Sequence, residues 1–213
     1  RRMGGARKPF LQLRGDPVLR LSLKPFLEHP QVSALAVALG ARDIEDPPDW
    51  LVGLDPRLSL VAGGDTRSDS VRMALEALPE TIDVVAIHDA ARPLVTREII
   101  DRCLGAVGPN RGAVAGWPAV DTLKEVDSRE RILNTPDRER IWHAHTPQVF
   151  PYRLAVEAYG RAKEDGVTDT DDSALVERIG GEVVMVHGSP FNVKITRPED
   201  LAIAELLLRE GEA

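Results

Sequence analysis

Asp89 and Arg92 stand in the hexapeptide His88-Asp89-Ala90-Ala91-Arg92-Pro93, directly behind the apolar run Ile82 to Ile87. A strand that ends in a carboxylate, two small residues and a fixed cation suits a charged ligand. The small residues let a nucleotide approach the backbone, and a guanidinium can fork onto a phosphate. The competing account is a capped loop, with Asp89 satisfying local amides and Arg92 paired to a surface carboxylate. His88 reads more readily as a packed or hydrogen-bonded histidine than as a base.

Similar groups recur elsewhere. Arg1-Arg2-Met3-Gly4-Gly5-Ala6-Arg7-Lys8-Pro9 joins flexible glycines to several cations. Such a loop can turn backbone N–H groups toward a polyphosphate and neutralise charge that grows during phosphoryl transfer; a frayed basic tail is the alternative. Gly63-Gly64-Asp65-Thr66-Arg67-Ser68-Asp69-Ser70 lies between an apolar run and a helix, where open α/β sheets bind ligands. A plain turn capped by Ser68 explains part of it, and nucleobase contact explains the clustered glycines, Asp65 and Ser70. In Asn192-Val193-Lys194-Ile195-Thr196-Arg197-Pro198-Glu199-Asp200, helix capping accounts for Thr196, Glu199 and Asp200. Lys194 is left over, and a lysine there is expected to meet an anion. The run Thr168 to Ser173 reads as acids favouring a helix start. The spacing of His143 and His145 would put both on one face of a strand, without the further ligands a zinc site needs. Cys103 falls on the apolar side of its helix.

These groups need a frame. Segments with helical spacing at 17–28, 68–78, 96–107, 151–164, 170–179 and 198–208 alternate with apolar runs at 33–39, 58–62, 82–87, 112–117 and 183–187, with a short strand leading into Asn192 to Lys194. That alternation marks βαβ units and predicts a mostly parallel sheet with helices on both faces. It breaks between Val120 and Trp142, where charged residues around Asp127 to Arg131 suggest a polar two-stranded excursion. So polar a hairpin is marginal alone and should pack on something, a second subunit being the natural candidate. The 213 residues, 43% of them hydrophobic, fit a single α/β domain over residues 1–213. A net charge of −7 argues against nucleic-acid binding. No run is apolar and long enough for a bilayer, and the lone Cys103 and the absence of a signal peptide point to the cytoplasm.

Taken in order, these motifs resemble the 2-C-methyl-D-erythritol 4-phosphate cytidylyltransferases of the non-mevalonate isoprenoid pathway. The resemblance rests on Arg-Met-Gly-Gly and Lys-Pro-Phe-Leu at 2–11, Gly-Gly-Asp-x-Arg-x-Asp-Ser-Val at 63–71 and His-Asp-Ala-Ala-Arg-Pro at 88–93. It continues with Asp-Thr-Leu-Lys at 121–124, Asp-Arg at 137–138, Trp-His-Ala-His-Thr-Pro-Gln at 142–148 and Asn-Val-Lys-Ile-Thr-Arg-Pro-Glu-Asp-Leu at 192–201. It implies a Rossmann-like nucleotidyltransferase fold, a homodimer joined through protruding β-arms at about 120–141, and transfer of CMP from CTP to the acceptor phosphate with Mg²⁺. By the same resemblance, Arg2 and Lys8 would stabilise charge on the phosphates, and Gly63, Gly64, Asp65 and Ser70 would hold cytosine. Asp89 and Ala90 would contact hydroxyls, while Arg92, Thr122, Thr146 and Lys194 would bind methylerythritol phosphate. Arg138 would reach across from the partner's arm. Members of that family begin with a strand and Pro-Ala-Ala-Gly-x-Gly, so a trimmed N-terminus is expected here, a truncated form with impaired CTP binding being the alternative. A cytidylyltransferase for another polyol phosphate such as ribitol 5-phosphate and a non-catalytic nucleotide-binding dimer module are the competing functions.

Overall fold

Apolar side chains point alternately to two sides along the central strands, so each strand can bury both faces under helices. This computed structural model describes residues 8–167 and 171–210. A 3-10 turn at Lys8–Phe10 leads into an antiparallel pair, β1 (Gln12–Leu13) and β2 (Asp16–Pro17), and then into α1 (Val18–Leu27). β3 (Leu35–Leu39) and β4 (Leu58–Ala62) run parallel, with α2 (Ala41–Glu45) between them in sequence. α3 (Arg67–Glu76), β5 (Val84–Ile87), α4 (Arg97–Ala106) and β6 (Arg111–Pro118) follow. A small antiparallel excursion, β7 (Glu125–Val126) with β8 (Ile132–Asn134), precedes β9 (Trp142–Pro151). The chain closes with α5 (Tyr152–Glu164), α6 (Asp172–Arg178), β10 (Glu182–His187) and α7 (Pro198–Glu210).

The larger sheet has the order β10-β6-β9-β5. β10 runs parallel to β6, whereas β9 is antiparallel to both β6 and β5. The sheets are therefore mixed and not mostly parallel as the alternation predicts. The cause lies in the excursion: β9 returns from it with no crossover helix, and a strand that returns so runs against its partner. The periodicity of 142–148 hides this strand, because Thr146 and Gln148 are polar residues buried in its interior half.

Helices do cover both faces. Ala113, Ala115 and Val149 share a core with Leu23 of α1 and Ile99, Ile100 and Cys103 of α4. Phe150, one residue on, enters the opposite core with Leu75 of α3, Ala155 of α5 and Leu175 of α6. Gly112 makes this close approach feasible, since a Cβ there would stand 2.2 Å from the Phe150 ring. Full burial of Phe150 contributes about 2 to 3 kcal/mol of transfer free energy.

Two expectations at boundaries change. α3 is capped by Thr66 and not Ser68: the Thr66 side chain accepts from the Asp69 amide, and Asp69 returns a bond to the Thr66 amide. Asn192 to Lys194 forms no strand, because the Asn192 and Val193 amides turn back to the Ser189 and Phe191 carbonyls, while the Asn192 side chain donates to the Thr146 carbonyl. Between β3 and β5 runs a slot of about 690 Å³, floored by Phe26 and roofed by Leu75, with Val37 and Val85 on its two sides. Among the described residues neither strand pairs across it. No helix among them is long and apolar enough to cross a membrane.

Candidate functional site

β5 ends at Ile87, and the loop that follows turns Asp89 into a cluster of cations. Lys194 Nζ lies 2.8 Å from Asp89 Oδ2, Arg92 Nε 3.5 Å from the same oxygen, and Arg67 Nε 3.5 Å from Oδ1. Burial alone would raise the Asp89 pKa. The Lys194 hydrogen bond, with the charges of Lys194, Arg67 and Arg92, outweighs it and holds the carboxyl below its ordinary range. Arg92 is buried at 8% exposure and donates from Nη1 to the Asn192 carbonyl at 2.8 Å. Desolvation lowers its pKa, which makes an added anion welcome. Lys194 is the most exposed of these partners, with 43% of its side chain open to solvent.

The structure thus brings together Asp89, Ala90, Arg92, Thr146 and Lys194. Ala90 lines the mouth of the slot beside Asp89, as do Ser70 and Arg67. Gly63 and Gly64 pack on the start of α3, where a Cβ on Gly64 would lie 2.3 Å from Asp69 Cβ. Ser70 Oγ accepts from the Gly64 amide at 3.1 Å and donates to the Thr66 carbonyl at 2.9 Å. Local packing therefore accounts for the glycine pair and Ser70, leaving Asp65 exposed at the loop tip. Lys8 opens the first 3-10 turn, and Leu11 and Leu13 just after it pack with Leu94 and Ile195, at the Lys194 end of the molecule. Arg2 lies outside the described residues. Thr122 is exposed on the excursion, and Arg138 there donates to the Val120 carbonyl at 2.9 Å.

Sequence reasoning missed several members of the site. Asp172 heads α6, but it is fully buried and not merely favouring a helix start. Arg67 grips it through Nη1 to Oδ1 at 2.5 Å and Nη2 to Oδ2 at 2.8 Å, and the Tyr159 hydroxyl donates to Oδ1. The pair raises the pKa of Arg67, the hydrogen bonds it donates to Asp172 being the main cause. One signal was present: the run at 168–173 holds more acids than one helix start can use. Asn192 carried no signal, since only the fold brings it to Thr146 and Arg92.

Neutral histidines flank the cluster. Burial pushes His88 from 6.5 down to about 4, and His145 likewise to about 4. Both are bases with folded values below their unfolded ones. Their contribution to stability is complete above about pH 6.5 and falls as pH drops from there toward 4. Urea midpoints measured over that window are expected to fall, with His88 giving a slope of up to about 1.4 kcal/mol per pH unit; a flat profile contradicts the assignment. His145 is less enclosed by protein and adds less.

A strand-end carboxylate ringed by cations, beside a small-residue loop entering a helix, marks an α/β protein whose candidate site lies at the strand ends, the place where open α/β sheets bind ligands. The family model described as 2-C-methyl-D-erythritol 4-phosphate cytidylyltransferase matches residues 1–210. The protein of that name from Symbiobacterium thermophilum is 43% identical over 212 residues, 99% of this chain and 89% of its own. The crystal structure of 4-diphosphocytidyl-2C-methyl-D-erythritol synthase from Anaerococcus prevotii superposes with a TM-score of 0.87 at 28% identity, covering 96% of this chain and 91% of that one. The 2-C-methyl-D-erythritol 4-phosphate cytidylyltransferase of Thermus thermophilus gives 0.82 at 35% identity, covering 95% and 94%. The chain belongs to the 2-C-methyl-D-erythritol 4-phosphate cytidylyltransferase family.

Proposed function

We propose that this protein transfers CMP from CTP to the phosphate of 2-C-methyl-D-erythritol 4-phosphate. An acceptor phosphate oxygen bonds to the α-phosphorus of CTP as the bond to pyrophosphate breaks. The observation that carries this reading is the Asp89 cluster, where cations outnumber the carboxylates they face at a sheet edge, in a chain of this family. The nucleophile is already ionised near neutral pH, so the reaction asks for positioning and charge neutralisation more than for a base. That suits a site whose nearest histidine, His88, has both nitrogens engaged.

In this reading Lys194 and Arg92 meet the acceptor phosphate and Asp89 takes hydroxyl protons as hydrogen bonds. Arg2 and Lys8 face the triphosphate, and the loop at Gly63 to Asp65 borders the base. Mg²⁺, when bound with the nucleotide, would supply charge neutralisation on the triphosphate. Among the described residues no His, Cys, Asp or Glu cluster makes a ready cage, which fits a metal held mainly by the nucleotide's oxygens. Val126, Ile132 and Leu133 are exposed on the excursion, which supports its burial in a homodimer with Thr122 and Arg138 serving the partner's site.

Full-length protein given CTP, Mg²⁺ and methylerythritol phosphate is expected to release pyrophosphate, and to release far less with ribitol 5-phosphate. No release with either acceptor would leave a binding module as the better reading. Preference for ribitol 5-phosphate would shift the substrate and keep the chemistry.

A further inference from the structure

His88 takes no part in the transfer as proposed, yet its ring is held on every side. Nε2 lies 3.1 Å from the Arg92 carbonyl oxygen, Nδ1 lies 2.9 Å from Thr146 Oγ1, and the Phe26 ring leans on it with centroids 5.1 Å apart. A carbonyl can only accept, so the neutral ring carries its proton on Nε2. Nδ1 is then a lone pair, and it takes the Thr146 hydroxyl proton. Thr146 Oγ1 is left to accept from the Asp89 amide, 3.0 Å away. Donation thus runs in one sense, from Asp89 N–H to Thr146, from Thr146 to His88, and from His88 to the Arg92 carbonyl. Asn192 closes the ring, donating to the Thr146 carbonyl and accepting from Arg92, both at 2.8 Å.

We infer that His88, as the neutral Nε2–H tautomer, is a positioning residue that fixes Asp89 through Thr146 and fixes Arg92 through its carbonyl. The inference rests on reading 88–93 as the place where nucleotide and acceptor meet. It also redefines Thr146. That residue is 3% exposed, with its only hydroxyl proton already given to His88, so it serves the site by holding Asp89 and not by donating to a ligand phosphate. A single orientation of the network follows, because each hydroxyl and ring proton has one acceptor.

Two measurements test this, and the first does not depend on catalysis. The ¹⁵N signals of His88 in the ligand-free protein are expected to report the Nε2–H tautomer, with the Nδ1 signal moving in Thr146→Val. An Nδ1–H tautomer, or a signal indifferent to Thr146→Val, would overturn the network even if the transfer activity were absent. The second is kinetic. His88→Ala is expected to lower kcat roughly 10- to 100-fold, the cost of misplacing reacting groups by an ångström or less, with the KM for CTP changed little. His88→Asn puts an acceptor oxygen where Nδ1 stands, and it is expected to recover much of kcat. His88→Leu offers no acceptor and is expected to recover none. The double variant His88→Ala/Thr146→Val should be no slower than His88→Ala alone, since the two residues act as one unit. Additive losses, or equal activity of the Asn and Leu variants at matched thermal stability, would reduce His88 to a packing residue.

Discussion

Lys194→Ala is expected to lower kcat/KM with methylerythritol phosphate roughly 10- to 100-fold while the protein stays folded. The magnitude follows from one charge-assisted hydrogen bond to a phosphate, about 1.5 to 3 kcal/mol, at about 1.4 kcal/mol per tenfold in rate. Stability should change little. The Lys194 side chain is 43% exposed, and an ion pair that open to solvent contributes about 1 kcal/mol at most. Asp89 also keeps Arg67 and Arg92 when the lysine is gone. Steady-state pyrophosphate release read beside a thermal melt separates the outcomes. A large loss of melting temperature would make Lys194 structural, and wild-type kinetics would remove it from the acceptor site.

The same contrast between exposed and buried charge explains how much of this protein is legible in sequence. Motifs built from consecutive residues carry their own signal: His88 to Pro93 follows an apolar run, and β5 does end there. Thr196 capping is legible for the same reason, since its amide and hydroxyl both donate to Asp200 only four residues on. Periodicity likewise reveals α4, whose buried Ile99, Ile100 and Cys103 recur on one side. Long-range partnerships have no such local mark. Arg67 meets Asp172 across 105 residues and Arg92 meets Asn192 across 100, so only folding reveals them. β9 was hidden differently. Its inner residues include Thr146 and Gln148, which tolerate burial because they are hydrogen-bonded, to His88 and Asp171 respectively, and hydropathy does not register that compensation.

Asp172→Ala is the substitution expected to cost most in stability, about 3 kcal/mol, the low end for breaking a buried ion pair, because the stranded partner Arg67 keeps some contact with solvent. Asp172 is fully buried, with both carboxylate oxygens on Arg67 and the Tyr159 hydroxyl on Oδ1. Removing it leaves the two terminal nitrogens of Arg67 and the Tyr159 phenol without the acceptor that drew them there, with only Arg67 Nε still facing Asp89. Asp172→Asn keeps the shape and one oxygen, so it is expected to lose less, and it isolates the charge from the packing. The double variant Arg67→Met/Asp172→Leu should recover much of the loss, since replacing both members of a buried pair avoids the stranded charge. Denaturant unfolding of the set checks this, and a double variant as unstable as the sum of the single changes would mean that packing dominates. The site should feel the change as well. Arg67 holds Asp172 with its terminal nitrogens and faces Asp89 with Nε at 3.5 Å, so α6 sets the place of one of the cations around Asp89. Asp172→Asn is therefore expected to weaken binding of CTP under conditions where the protein is still fully folded, measurable by calorimetric titration. Unchanged affinity in a destabilised variant would show that Arg67 ties α3 to α6 and does nothing further for the ligand.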